Sequence, residues 1–388
     1  MEQGVGYRLL IVGPLESDHL RRLVLHLKMV DPEASVSVLC WQISRPLPDE
    51  VSSVLDSVVQ VKSPDGILAR IPLLRSLTAR IRYRRAFRAA TERKPDIINI
   101  HYPSPRDMHI MPLMKKTGAK VILSPWGSDV LRVDSPLALR KLRKLYSEAD
   151  HVTGLKGHFM DSVIARLGFN PGKILEVGFG SDTLDYFLEH GNGLSREQAK
   201  ESWGLSGSYL ITCGYNGSDG QRHKAVIESI ASVRDSLPED LVLVFPFTYG
   251  AKDGYRQELE SCLERFGIKG FFVTEYLSLK RLHELRKCTD MFIHVQPTDA
   301  SSASVKEYLI CGAKVLHGGW IKYDDIPDGP ETPFFIVPSL ESLPDVILEA
   351  YRSEPRMVSV NVASAIMAGG WNSRIKDWDN MFGKLARE

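Results

Sequence analysis

Short apolar runs alternate with stretches of helical spacing along almost the whole chain. Each run has the length of a buried strand, and the segments between runs carry apolar residues three and four positions apart. This alternation is typical of α/β architecture with a parallel sheet. In the first half the predicted strands are Arg8–Val12, Val36–Cys40, Val58–Val61, Ile97–Ile100, Val121–Leu123, His151–Thr153 and Ile174–Glu176. After Gly191 they are Tyr209–Thr212, Leu241–Phe245, Gly270–Val273, Met291–Val295, Lys314–Leu316 and Phe334–Val337.

Each series opens with a strand that ends in a glycine turn, Leu10-Ile-Val-Gly-Pro14 in the first and Ile211-Thr-Cys-Gly-Tyr-Asn-Gly217 in the second. A chain of 388 residues also exceeds the usual size of one hydrophobic core. We therefore predict two doubly wound Rossmann-like domains. Ligands are expected in a cleft between them, at the carboxyl ends of the strands.

The predicted domain boundaries follow changes in composition. Residues 1–181 and 196–370 form the two domains, and the polar, glycine-containing segment 182–195 is the expected linker. Residues 371–388 have the pattern of a last helix.

The composition excludes several classes of protein. A net charge of +1 argues against a dedicated nucleic-acid binder. The five cysteines are scattered without a C-x-x-C pair, which favours a reducing compartment, so we expect a cytoplasmic protein. No window approaches the roughly 20 apolar residues that span a bilayer, and the N-terminus lacks a signal-peptide pattern.

Charge is concentrated in one segment, residues 69–94. It carries nine basic side chains against the single acid Glu92, interleaved with apolar residues such as Leu73, Leu77 and Ile81. A basic amphipathic helix of this kind can lie on anionic lipid headgroups. A solvated helix packed on a sheet explains the pattern equally well.

The most informative motif follows the predicted strand Met291–Val295. Asp299 precedes Glu307 by eight positions, and between them lie Ser301, Ser302, Ala303 and Ser304, at the start of a helix that Gly312 ends. Backbone N–H groups at a helix N-terminus attract anions. Glu307 can present its carboxylate to a ribose diol, which suggests a nucleotide-sugar site. The alternative is an ordinary strand, turn and helix with Glu307 in solvent.

This segment resembles the Glu-x7-Glu region of retaining GT-B glycosyltransferases similar to glycosyltransferase family 4, with Asp299 in place of the first Glu. The resemblance implies that Glu307 binds the nucleotide ribose and that Asp299 lies near the donor sugar, as a candidate catalytic residue. It also implies that the C-terminal helix crosses back to the first domain.

The loop Gly214-Tyr-Asn-Gly-Ser-Asp-Gly-Gln-Arg-His-Lys224 precedes another predicted helix. Gly214 and Gly217 permit close approach of backbone to phosphate, and Arg222 and Lys224 supply positive charge. The loop resembles the diphosphate loop of family 4. Either Arg222 or Lys224 can fill the basic position; we favour Lys224 and include it among the catalytic candidates. A solvent-exposed loop that caps a helix is the alternative.

The C-terminal half also resembles family 56 transferases in Val244-Phe-Pro-Phe-Thr-Tyr-Gly250 and Thr274-Glu-Tyr-Leu277. The resemblance adds Tyr249, Glu275, Tyr276 and Leu277 to the expected donor site, where the last three lie near the base, uracil or thymine. A plain strand-to-helix connection is the alternative.

Three first-domain strands end in candidate acceptor loops: Gly13 and Pro14, then His101, then Trp126, Gly127 and Ser128. The last loop resembles the His-Gly-Ser-Asp loop of family 4, with Trp126 where that family often carries a His. His101 is the possible replacement and Asp129 the second acid, both as catalytic candidates. The alternatives are a structural histidine and a helix cap.

No metal-binding pattern is present, and we expect neither a metal nor a cofactor. The resemblances imply a metal-independent hexosyltransferase. It moves a sugar from a UDP- or TDP-linked donor to a glycan or polyprenyl-linked acceptor in bacterial surface polysaccharide synthesis, peripherally at the inner face of the membrane. Retention is favoured, although the family 56 likeness leaves it open. The alternatives are a GT-B nucleotide-sugar 2-epimerase and a non-catalytic GT-B partner subunit.

Overall fold

The computed structural model describes residues 6–44, 46–65, 70–324, 326, 334–354 and 358–388. They form two compact units. The first contains the described residues of Met1–Gly180 together with Trp371–Glu388, and the second is Ser181–Gly370. Each unit is built on a single parallel sheet, which confirms the predicted fold class.

The first unit has a seven-stranded sheet in the order β3-β2-β1-β4-β5-β6-β7. Its strands are β1 Arg8–Val12, β2 Ser35–Trp41, β3 Ser57–Val61, β4 Ile97–His101, β5 Lys120–Ser124, β6 His151–Thr153 and β7 Ile174–Leu175. Its helices are α1 Asp18–Val30, α2 Asp49–Ser52, α3 Pro72–Ala90, α4 Met111–Thr117, α5 Ser128–Leu131, α6 Pro136–Glu148 and α7 His158–Leu167. The chain reverses strand order after β3, so the loops after β1 and β4 meet at the switch point.

Alternate residues of these strands enter two cores, one on each face of the sheet. Leu10 and Ile98 belong to one core, and Leu9 and Ile97 belong to the other. Both cores contain Val, Ile and Leu from neighbouring strands, as a sheet covered on both faces requires.

The helix nearest the C-terminus, Trp371–Arg387, lies in the first unit and is called α16 below. Trp371 and Trp378 are buried in the same core as Leu9. The Tyr7 hydroxyl donates to Asp379 at 3.0 Å, and the Trp378 indole donates to the Gly178 carbonyl at 2.9 Å. These contacts tie α16 to Tyr7, just before β1, and to the segment after β7.

The second unit has a six-stranded sheet in the order β10-β9-β8-β11-β12-β13. Its strands are β8 Tyr209–Cys213, β9 Leu241–Pro246, β10 Lys269–Val273, β11 Met291–His294, β12 Lys314–Gly318 and β13 Phe334–Val337. Its helices are α8 Asp182–His190, α9 Arg196–Ser202, α10 His223–Ser232, α11 Tyr255–Arg265, α12 Leu279–Cys288, α13 Ala303–Ile310, α14 Leu343–Arg352 and α15 Val360–Met367. Short 3-10 helices in the chain are Asp107–His109, Pro171–Lys173, Gly191–Gly193, Asp219–Gln221, Arg234–Ser236 and Leu340–Ser342.

The segment 182–195 differs from the linker that its polar composition predicts. Most of it is helix α8, and Leu184 is buried in a core of the second unit with Phe292 and Val305. Ser181 caps this helix by accepting a hydrogen bond from the Leu184 backbone N–H at 3.3 Å. One apolar face therefore makes the segment part of the second unit.

No helix among the described residues combines the length and apolar character that crossing a bilayer requires.

Candidate functional site

The two predicted donor motifs lie side by side because they follow paired strands. β8 and β11 are adjacent and parallel, with Ile211 opposite Met291. The Gln221 side-chain amide donates to the Gln296 side-chain oxygen at 3.3 Å, which joins the two loops directly. The carboxyl ends of both strands thus form one edge of the second unit, which is where ligands bind in open α/β sheets.

Close packing explains why glycine occupies positions 214 and 217 in the loop after β8. Gly214 has φ of 66°, and a Cβ there would lie 2.6 Å from the side-chain oxygen of Gln221. A Cβ on Gly217 would lie 2.8 Å from the Ala251 Cβ, and the Gly217 N–H donates to the Tyr249 carbonyl at 2.8 Å. The glycines therefore draw the loop against Gln221 and the chain after β9.

Arg222 is the cation of this loop that borders a cavity. It has φ of 61° at the N-cap of α10, and its guanidinium lies 5.4 Å from the centroid of the Trp320 ring. Arg222, Trp320 and Pro297 line an open cavity of about 450 Å³ with Pro338, Ser339, Leu340 and Glu341. A non-glycine residue in the left-handed region is uncommon and is often held there at functional sites.

Lys224 has a different environment. Its ammonium pairs with Glu258 of α11 at 2.5 Å, on an exposed surface, and this partner raises the pKa of the lysine. The pair joins α10 to α11. Of the two basic candidates, Arg222 is the one beside the cavity, so the geometry favours Arg222 and not Lys224 for contact with an anion.

Asp299 is buried and accepts hydrogen bonds from three partners. They are His294 at 3.1 Å, the Tyr323 hydroxyl at 2.8 Å and the Ala300 backbone N–H at 2.9 Å. Burial raises the pKa of this carboxyl, but the bonds from His294 and Tyr323 outweigh it, so the pKa is lowered. Asp299 is a saturated carboxylate that holds the turn after β11.

Glu307 is also buried, with a cation as its partner. Its Oε2 accepts from Arg286 at 3.0 Å, and its Oε1 accepts from the Ser181 hydroxyl at 2.9 Å. Arg286 of α12 further donates to the Tyr308 hydroxyl at 2.8 Å and to Ser304 at 3.2 Å. The carboxylate thus joins α12, α13 and the start of α8. Ribose contact by Glu307 stays a prediction.

The serine run opens α13. Ser302 is the N-cap, although its side chain makes no capping hydrogen bond, and the helix begins at Ala303. Ser301 accepts from Lys306 at 2.9 Å, so a second cation lies near this helix start. The expected base-binding residues follow β10 at the far edge of the sheet. Glu275 and Tyr276 are exposed there and Leu277 is half-buried, whereas the exposed Tyr249 follows the intervening β9.

The first-unit candidates follow three adjacent strands, β1, β4 and β5. A Cβ on Gly13 would lie 3.1 Å from the His101 Cβ, so the turn Gly13-Pro14 packs directly on the end of β4. His101 is buried against Trp378, with ring centroids 5.7 Å apart, and burial lowers the pKa of His101 to about 3. The histidine is therefore neutral at physiological pH.

The loop after β5 is held by its own acid. Asp129 Oδ1 accepts from the backbone N–H of Trp126 at 3.0 Å and of Gly127 at 2.8 Å. Among the described residues nothing bonds to Oδ2, and burial raises the pKa of Asp129 to about 7. The Ser128 hydroxyl lies 3.0 Å from the Tyr102 hydroxyl. Asp129 thus stabilises the turn around Gly127 from inside α5, whereas the N-cap of this helix is Gly127. A catalytic role for Asp129 stays a prediction.

Several residues of these sites have no sequence signal. Arg286 pairs with an acid 21 positions away on another helix, and Trp320 comes from the loop after β12. Both depend on tertiary placement, which hydropathy patterns do not report. Within the described ranges, no three or more histidine, cysteine or carboxylate side chains are grouped where a metal ion could bind.

Comparison with known proteins relates this geometry to a family. Residues 18–180 match the model of a family described as glycosyl transferase 4-like domain. The search of curated protein sequences finds no match. The match confirms the predicted resemblance in the first half of the chain.

Among the solved structures that match, the following three are similar along almost the whole chain. A glycosyltransferase from Rickettsia africae is 12% identical with a TM-score of 0.73, covering 98% of this chain and 99% of that one. Sucrose-phosphate synthase from Thermosynechococcus elongatus is 14% identical with a TM-score of 0.74 and the same coverage. Anabaena HepE in complex with UDP and glucose is 12% identical with a TM-score of 0.62, covering 98% of this chain and 97% of that one.

At these identities the likeness shows the fold, which is that of GT-B glycosyltransferases. Fold and family match together support a glycosyltransferase. The likeness to family 56 is not confirmed and stays a prediction.

Proposed function

We propose that this chain, with its glycosyl transferase 4-like first half and GT-B fold, transfers a sugar from a nucleoside-diphosphate sugar to a glycan or lipid-linked acceptor. The observation that carries the proposal is the junction of the Gly214 loop and the Asp299 turn at one edge of the second unit. A glycine loop with a cation and a helix N-terminus are two devices that bind phosphate.

Arg222 is the residue proposed to stabilise the leaving diphosphate. Charge develops on that group as the glycosidic bond breaks, and a fixed guanidinium beside it lowers the transition state more than the ground state. We propose that this cation, with the N-terminus of α13, acts without a metal or cofactor and that configuration is retained. The UDP and glucose held by the similar Anabaena HepE structure support a UDP-linked hexose as donor, with a TDP-linked sugar as the variant to test.

We further propose that helix α3 places the protein on the inner face of a bacterial membrane, where polyprenyl-linked acceptors of surface polysaccharide synthesis are found. Leu73 is 83% exposed and Leu77 is 54% exposed in the first turns of this helix. The same helix exposes Arg75, Arg80 and Arg85. Its exposed apolar and cationic side chains can therefore both contact an anionic lipid surface.

Calorimetric titration of UDP and TDP into wild type, Arg222→Gln and Lys224→Gln tests the donor proposal. Charge-assisted hydrogen bonds contribute about 1.5 to 3 kcal/mol, so Arg222→Gln should weaken binding at least tenfold. Lys224→Gln should leave the affinity within about twofold, because its partner is Glu258.

Turnover of an accepted donor should fall further than affinity in Arg222→Gln, because the contact strengthens in the transition state. A wild-type protein that neither binds nor hydrolyses any nucleotide sugar would contradict the proposal. Product analysis without acceptor separates transfer from epimerisation.

Sedimentation with vesicles of phosphatidylglycerol tests the membrane contact. Changing Arg75, Arg80, Arg85 and Arg88 to Gln should reduce binding severalfold, and less so at high salt. Arg82 is left intact because it pairs with Asp65 at 2.9 Å. Leu73→Ser should also weaken binding, whereas the control Leu137→Ser, on the 62% exposed Leu137 of α6, should not. Equal sedimentation of all variants would contradict this contact.

A further inference from the structure

A second cavity lies wholly within the first unit, at the carboxyl ends of β1, β2 and β4. Its volume is about 230 Å³, and its walls include Trp41, Tyr83, His101, Ser104, Arg106 and Asp107. Sites for drug-sized ligands occupy roughly 300 to 1,000 Å³. This cavity therefore suits one small ring and not an extended chain.

Arg106 gives the cavity a positive charge. Its guanidinium lies 5.2 Å from the centroid of the Trp41 ring. Burial raises the pKa of the neighbouring Asp107, and the charge of Arg106 opposes that rise. The nearest acid in sequence, Asp107, is buried and engaged elsewhere. An exposed guanidinium beside an aromatic ring is a site for an anionic ligand with an apolar face.

The loop that carries Arg106 is held in place by hydrogen bonds to the side chain of Asp107. Asp107 Oδ1 accepts from the Tyr83 hydroxyl at 2.5 Å, and its Oδ2 accepts from Ser104, from the backbone N–H at 2.6 Å and the hydroxyl at 3.0 Å. The adjacent Tyr102 has φ of 58°, a left-handed conformation that is costly outside glycine. The cation is thus presented by a loop that the fold holds in one conformation.

His101 contributes to the wall of the cavity, but its ring packs into the opposite core. The ring lies against Phe179 and Trp378, with centroids 5.7 Å apart in both pairs, and the Trp126 indole donates to its Nδ1 at 3.5 Å. Trp41 and Arg106 are therefore the residues of this cavity that can contact the ring and the charge of a ligand.

We propose that this cavity binds the acceptor of the transfer and that the acceptor is an anionic sugar, one that carries a phosphate or a carboxylate next to its ring. The sugar ring packs against Trp41, and the anion pairs with Arg106. That the ligand is the acceptor rests on the proposed function. That it is an anionic sugar follows from the side chains of this cavity, and two of them, Trp41 and Arg106, could not be predicted from the sequence.

The test uses the full chain labelled with 5-fluorotryptophan and observed by fluorine NMR. The chain has six tryptophans, and Trp41→Phe and Trp320→Phe assign the two resonances needed. Trp41 then reports the first-unit cavity and Trp320 reports the second-unit cavity in the same spectrum. The probes are glucose 1-phosphate, glucuronate, glucose, inorganic phosphate and UDP.

Glucose 1-phosphate or glucuronate should shift the Trp41 resonance, and whichever binds tighter identifies the anion as phosphate or carboxylate. Arg106→Gln should weaken this binding at least fivefold, whereas Arg140→Gln, a change at an exposed arginine of α6, should not alter it. The inference is overturned if no anionic sugar moves Trp41, if glucose binds wild type as tightly as glucose 1-phosphate and glucuronate do, if the anionic sugars bind wild type and Arg106→Gln equally well, or if inorganic phosphate alone reproduces the shift.

The two reporters separate failure of this inference from failure of the proposed function. If UDP shifts Trp320 while anionic sugars leave Trp41 unchanged, the acceptor inference falls and the transferase proposal stands. If UDP shifts neither resonance and no donor is hydrolysed, the proposed function falls. The dispersion of the fluorine spectrum shows in each sample whether the variant is folded.

Discussion

The two units have the same architecture, but their buried acids differ. In the second unit, Asp299 accepts hydrogen bonds from three partners, and Glu307 is paired with the buried Arg286. In the first unit, Asp129 accepts at one oxygen only, and its Oδ2 has no partner among the described residues. All three acids follow the carboxyl end of a central strand.

The difference shows what decides the charge of a buried carboxyl. Burial raises the pKa of both Asp299 and Asp129, since it disfavours the ionised form. At Asp299 the hydrogen bonds outweigh the effect of burial, so the pKa is lowered. At Asp129 the effect of burial is larger than that of the hydrogen bonds, so the pKa rises to about 7. Asp107 of the first unit accepts three hydrogen bonds from neutral donors, and burial still raises its pKa. Neither depth nor the number of partners alone therefore sets the sign.

The largest effect should come from Glu307→Ala. Removing this carboxylate leaves Arg286 buried without its charge partner, and breaking a buried pair in this way costs about 3 to 5 kcal/mol. Urea denaturation at pH 7 should show this loss of unfolding free energy. Glu341→Ala, at an exposed position in the same unit, should leave the unfolding free energy nearly unchanged.

A double variant then separates structure from binding. Arg286→Met with Glu307→Leu removes both charges, so it should recover much of the stability that Glu307→Ala loses. If UDP affinity stays at the wild-type level in this folded double variant, the role of Glu307 is to hold the unit together. If affinity falls at least tenfold, the predicted ribose contact is supported. Wild-type stability of Glu307→Ala would contradict the comparison.

Asp299→Asn should have a smaller effect with a definite pH dependence. The folded-state pKa is lowered, so the ionised form contributes stability above the unfolded value of about 3.9 and loses it as pH falls through the folded value. The variant should lose about 1 to 3 kcal/mol at pH 7, because charge-assisted bonds become neutral ones.

The gap between wild type and Asp299→Asn should begin to narrow below about pH 4, where the carboxyl of the unfolded state takes up a proton before that of the folded state does. Urea denaturation of both proteins at pH 7 and at pH 3.5 measures this difference in unfolding free energy. Asp219→Asn is the control, because Asp219 pairs with Lys252 in solvent. A gap that is the same at both pH values would mean that the charge of Asp299 does not stabilise the fold.

The sequence predicted the architecture well because hydropathy reports burial directly. Each strand expected from an apolar run is present, such as Arg8–Val12 and Phe334–Val337 with their expected bounds. The one misplaced segment was 182–195, where a short amphipathic helix is too polar to be distinguished from a linker. Periodicity over a few turns is the weakest part of such a prediction.

The Gly214 loop and the Asp299 turn, both predicted as donor motifs, lie beside each other because they follow adjacent strands. Their contact with a donor stays a prediction. Motif spacing could not show that Lys224 pairs with Glu258 or that Arg286 neutralises Glu307, since these partners lie on other helices. Pairing of this kind is decided by tertiary packing. For the same reason, the sequence did not predict that Trp41 and Arg106 lie together in a cavity.

The smallest effect at pH 5, and the sharpest test of the comparison, is expected from Asp129→Asn. Because its folded pKa of about 7 exceeds the unfolded value of about 3.9, the folded state holds a proton that the unfolded state releases between those values. Wild-type stability should therefore fall as pH rises through this window, by about 2 to 3 kcal/mol between pH 5 and pH 8. Asparagine keeps an acceptor for the backbone N–H groups of Trp126 and Gly127 and does not titrate.

Wild type and Asp129→Asn should thus be nearly equal in stability at pH 5, with the variant more stable at pH 8. This is opposite in sign to the dependence expected for Asp299→Asn. Asp134→Asn, at a 97% exposed carboxyl of the same unit, should show no such difference between the two pH values. If the gap for Asp129 instead grows in favour of wild type as pH rises, its Oδ2 has an ionic partner in solution. The two units would then stabilise their buried acids in the same way.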